Sequence, residues 1–112
     1  MDLIECRERL NGIDDEIVKL FVERCRVIDA VAEVKGKTGA PVRDEARENV
    51  ILTRLTGMAE AEYAEDVRAL YERILELSRA RQIAAGVGMT SEKDEPALRA
   101  ADLNCMEPVL YK

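Results

Sequence analysis

Residues 3–34 read LIECRERLNGIDDEIVKLFVERCRVIDAVAEV, and this stretch decides the fold. Leu3, Cys6, Leu10, Ile13, Ile17, Leu20, Arg24, Val27, Val31 and Val34 follow one another at alternating spacings of three and four. That period places them on one stripe of a single long helix. Gly12 interrupts the run without a proline to break it, and Arg24 is the charged member of an otherwise apolar row. The helix is expected to end near Gly36, where Gly36-Lys37-Thr38-Gly39-Ala40-Pro41 forms a turn-rich break.

Downstream, the pattern predicts two shorter helices. One starts around Asp44, whose carboxylate suits a helix N-terminus. Its inner row is Glu48, Ile51 or Leu52, Leu55 and Met58, with Gly57 weakening its end. The other runs from about Tyr63 to Ala85, with a core row of Val67, Leu70, Ile74 and Leu77 that Ser78 and Gln82 continue. Gly86 and Gly88 stop it. The domain is therefore expected over residues 1–86, with 87–112 as a tail of unassigned role in which Pro96 opens a short helix through Asp102.

A helix of about 35 residues is roughly 50 Å long. The two shorter helices cannot cover its stripe, so an apolar seam is left for a partner. A symmetric dimer with the long helices packed together is the economical expectation. The fold class is thus all-α, a three-helix chain in an intertwined helical-bundle homodimer.

The bulk composition sets limits on chemistry. The chain has 112 residues, 47% hydrophobic and 36% charged, which suits one globular domain. A net charge of −6 argues against a general nucleic-acid binder while leaving room for a local basic pocket. No apolar run is long enough for a membrane span. The first five residues do not resemble a secretory signal, and three cysteines without CxxC spacing fit reduced thiols in the cytoplasm. Histidine is absent, which removes Ser-His-Asp and Cys-His mechanisms and the usual imidazole metal site. No metal is expected.

Several polar residues stand where core residues belong. Arg24 reads either as a buried salt bridge or register-setting charge, or as part of a ligand pocket. Lys35 follows eleven residues later, within about 20° on the same face. Two aligned cations suit an anionic ligand, although Lys35 alone also suits a helix C-terminus. Arg7 precedes Arg24 by roughly 25 Å of helix. It can share a small ligand only with Arg24 of a partner chain; otherwise it is a solvated surface arginine. Asp44, Arg47 and Glu48 share a face, as an N-terminal carboxylate with a surface ion pair or as a pocket wall. Ser78 and Gln82 either mark where the third helix leaves the core or line a pocket.

Together these positions resemble the all-helical AroQ class of chorismate mutases over about residues 3–85. The resemblance begins with Arg7 ahead of Ile13-Asp14-Asp15-Glu16 and continues through Glu23-Arg24 and Lys35. It then passes through Pro41-Val42-Arg43-Asp44 and Arg47-Glu48 to Ser78 and Gln82. It implies a homodimer that converts chorismate to prephenate in phenylalanine and tyrosine biosynthesis, without a cofactor. It implies that Arg24 and Arg7 of the partner subunit bind the two substrate carboxylates. Lys35 and Gln82 donate to the ether oxygen of the breaking bond, and Glu48 holds the ring hydroxyl. Ser78 assists at a carboxylate, while Asp44 and Arg47 shape the pocket wall. Isochorismate pyruvate lyase resembles the same fold and is the nearest rival. A non-catalytic helical dimerisation module is the rival of another class. Activation by a partner enzyme of the shikimate pathway is a further reading.

Overall fold

A computed structural model describes residues 1–88. Three α-helices follow in order, α1 over Leu3–Thr38, α2 over Glu45–Met58 and α3 over Ala61–Ala84. The fold is all-α, as the periodicity predicts. Most of the expected tail, including the Pro96–Asp102 segment, lies outside the described residues.

Local chemistry sets the helix ends. Asp2 caps α1 through a reciprocal pair: its carboxylate accepts from the Glu5 amide at 2.8 Å, and Glu5 accepts from the Asp2 amide at 2.9 Å. The helix outlasts the expected stop at Gly36. It closes at Gly39, whose φ of 78° is left-handed and whose N–H donates to the Lys35 carbonyl at 2.8 Å. Gly36 is compatible with a helix at a modest entropic cost, whereas Gly39 occupies the conformation that side chains resist. Asp44 caps α2 by accepting from the Arg47 amide at 3.0 Å. At the end of α3 the Val87 N–H reaches the Gln82 carbonyl and the Gly86 N–H reaches that of Ile83. This Schellman closure, with Gly86 at φ 98°, folds Val87 back into the core.

α3 is the central element, packing against both α1 and α2. Among the described residues the buried apolar side chains are Ala32, Leu52, Leu75 and Val87. The facing of α3 departs from the expected row at Leu70 and Leu75, while Ser78 and Gln82, which continue that row, are buried as expected. Its buried face carries Leu75, Ser78 and Gln82, whereas Leu70 is 56% exposed. Leu70 lies five positions before Leu75, about 140° around the helix, so the two cannot face the same neighbour. Met58 also departs from the expected inner row. It sits at the last position of α2, before the turn to α3, and is 72% exposed.

Hydrogen bonds join α1 to α3 at Arg24, Asp29 and Lys35, all in the C-terminal half of the long helix. The remaining seam is left open by the described residues. Leu3, Leu10, Ile13, Ile17, Leu20, Val27 and Val34 are each more than half exposed. No helix among the described residues is long and apolar enough to cross a membrane.

Candidate active site

Where α1, α2 and α3 converge, a cavity of about 340 Å³ opens. That volume lies in the range of small-ligand pockets. Arg24 and Lys35 reach it from α1, Asp44, Arg47 and Glu48 from the start of α2, and Ser78 and Gln82 from α3. Seven of the eight sequence-predicted site residues therefore line one cavity. Val27, Ile28, Val31, Ile51 and Leu75 supply its apolar walls. Arg7 is not among the lining residues; it is an exposed residue near the far end of α1.

The polar groups are tied together. Arg24 Nη1 donates to Ser78 Oγ at 2.6 Å, and that hydroxyl donates on to the Ile74 carbonyl at 2.9 Å. Ser78 thereby orients the guanidinium from a buried position on α3. Lys35 Nζ donates to Gln82 Oε1 and to the Val42 carbonyl, both at 2.8 Å. Gln82 Nε2 donates to the Ser78 carbonyl at 3.3 Å. An ammonium has three N–H donors and a side-chain amide has two. One donor of Lys35 and one of Gln82 are thus left over while their heads are held in place. The loop carbonyl of Val42 is a partner that the sequence reading did not anticipate. It becomes available because the Gly39 turn brings the Pro41-Val42 segment back over Lys35.

Electrostatically, the cavity opposes the chain that contains it. Four cationic side chains and two carboxylates line it, although the whole sequence carries −6. Arg24, Lys35 and Arg47 make no salt bridge among the described residues. Among the described residues the salt-bridge reading of Arg24 is therefore not realised: its partner is a neutral hydroxyl. Cations held near apolar walls without counter-charges favour an anionic guest. Such an arrangement can hold an anionic guest in one conformation and stabilise negative charge that develops on it.

Arg79 is the fourth cation and was missed at the level of sequence. Its Nη1 donates to Glu48 Oε1 at 2.6 Å, across the α2–α3 contact. The available signal was its i+4 spacing from Leu75, but that signal required the correct rotation of α3.

Comparison with known proteins agrees with this geometry. A family model for chorismate mutase type II matches residues 6–83. Over 57 residues the chain is 39% identical to a bifunctional chorismate mutase/prephenate dehydratase of Buchnera aphidicola subsp. Schizaphis graminum, covering 51% of this chain and 15% of that protein. Over 53 residues it is 40% identical to a chorismate mutase of Methanocaldococcus jannaschii, covering 47% of this chain and 54% of that protein. The matches thus span about half the length of the second relative and a small part of the first. No solved structure gives a significant match. The family match extends over more than two thirds of the sequence and takes in every cavity-lining position named above, so the chain belongs to the chorismate mutase type II family.

Proposed function

We propose that this chain is a chorismate mutase, rearranging chorismate to prephenate in the route to phenylalanine and tyrosine. The observation that carries the reading is the convergence of Arg24, Lys35 and Arg47, each without a carboxylate partner among the described residues, on a single cavity with Glu48 and Gln82. The reaction is an intramolecular Claisen rearrangement. One C–O bond breaks as one C–C bond forms, and no external nucleophile or electron carrier takes part. Histidine is not required.

Arg24 binds one substrate carboxylate. Lys35 and Gln82 turn their remaining N–H donors to the ether oxygen, where negative charge grows as the bond stretches. Donors already fixed in place stabilise that charge without reorganising at the moment of reaction. Glu48 accepts from the ring hydroxyl, while Asp44 and Arg47 shape the wall of α2. The role of Ser78 is weighted towards orienting Arg24, because its proton is directed to the Ile74 carbonyl. Contact with a substrate carboxylate requires that hydroxyl to turn.

The active unit is a homodimer, with Arg7 of the partner subunit completing the carboxylate site. Three observations support this. The described residues leave the apolar seam of α1 uncovered, and their buried apolar core is small. Arg7 and Arg24 are 17 residues apart, roughly 25 Å of helix, too far to grip one small molecule. The proposed location is the cytoplasm, and activation by a partner enzyme of the shikimate pathway is not needed if the purified chain is fully active.

The test is turnover by the purified chain. Prephenate from chorismate, lost in Lys35→Ala, supports the mutase. Salicylate and pyruvate from isochorismate, without prephenate formation, support the lyase. No turnover of either, with Arg24→Leu as stable as wild type or more so, supports a dimerisation module.

A further inference from the structure

We infer that Arg79 is a positioning residue that holds Glu48 in the pocket; the inference rests on the mutase reading in which Glu48 accepts from the ring hydroxyl. Arg79 comes from α3 and Glu48 from α2. Their ion pair at 2.6 Å is largely shielded, with side-chain exposures of 24% and 13%. Arg79 engages Oε1, and so does the more exposed Arg43, whose Nε stands 3.7 Å away. Oε2 has no protein partner among the described residues and is the oxygen left for a hydroxyl donor.

The location of the pair gives it consequence. Glu48, Leu75 and Arg79 line both the 340 Å³ cavity and a neighbouring groove of about 510 Å³ between α2 and α3. The ion pair is therefore part of the wall between them. Arg43 lines the groove and not the cavity. With Arg79 removed, Arg43 is the cation that remains beside Glu48, and it draws the carboxylate towards the groove. A small displacement of that kind is costly, since misplacing a substrate-holding group by about 1 Å can reduce rate by about a hundredfold.

Arg79 acts through Glu48, so the two effects must couple. The experiment measures kcat and KM for chorismate with wild type, Arg79→Met, Arg79→Lys, Glu48→Gln and the Arg79→Met/Glu48→Gln double variant. Circular dichroism checks that each is helical, and Arg79→Gln replaces Arg79→Met if the latter does not fold. Arg79→Met is expected to lose roughly ten- to a hundredfold in kcat/KM. The double variant is expected to fall within about threefold of Glu48→Gln alone. Arg79→Lys is expected to recover part of the loss, because it keeps the charge but not the planar fork. Losses that multiply in the double variant indicate a structural role and overturn the inference, as does an Arg79→Met enzyme as active as wild type. Inactive wild type overturns the mutase reading together with the inference. Active wild type with multiplied losses overturns the inference alone.

Discussion

Lys35 Nζ and Gln82 Oε1 meet at 2.8 Å, although 47 residues separate them in the chain. The contact joins the last turn of α1 to the last turn of α3 and presents a cation and an amide side by side. The Val42 carbonyl holds the same ammonium from the opposite segment of chain. The proposed catalytic donors are thus restrained before substrate arrives.

Lys35→Ala removes both the charge and the link to Val42. A preorganised donor to a developing oxyanion contributes about 3–4 kcal/mol. The expected loss in kcat is on the order of a hundredfold or more, in a protein that stays helical. Following chorismate consumption alongside circular dichroism checks both parts.

At position 82 the donor is an amide, which needs no proton to function. The expected rate is therefore nearly flat between about pH 6 and 8, because a side-chain amide neither gains nor loses a proton there. Gln82→Glu reverses this. A carboxyl group donates only when protonated, so activity in that variant falls as pH rises. A steep decline in the wild-type profile over the same interval counts against the role of Gln82.

Arg24 and Arg7 test the shared site. Each alanine variant is expected to be folded and nearly inactive. When the two variants are mixed and their subunits exchanged, a heterodimer regains one site carrying both arginines. Recovery to roughly a quarter of wild-type activity is the expected ceiling for random exchange in a two-fold dimer. No recovery, with exchange verified by mass spectrometry of the intact assembly, removes Arg7 of the partner subunit from the site.

Gly39→Ala isolates a backbone effect. The glycine has φ 78°, and a methyl group added there meets nothing within 4 Å. The expected cost is about 1 kcal/mol, from the left-handed conformation alone. Thermal unfolding should show a lower midpoint. A parallel loss of activity is expected because this turn delivers the Val42 carbonyl to Lys35.

The sequence by itself determined the helical class, the three helices of the described residues, the apolar seam of α1 and seven residues that share one cavity. These features are local or periodic. A stripe repeats every three to four residues, a carboxylate marks a helix start, and a polar side chain in an apolar row stands out against its neighbours. Tertiary structure decided the facing of α3, which turns Leu75 inward and leaves Leu70 in solvent. It also decided the pairing of Arg79 with Glu48 and the use of the Val42 carbonyl by Lys35. None of these follows from periodicity, because each depends on how one helix or loop is seated against another. Position along a helix specifies the angle of a side chain to its own axis; only packing specifies what lies at that angle.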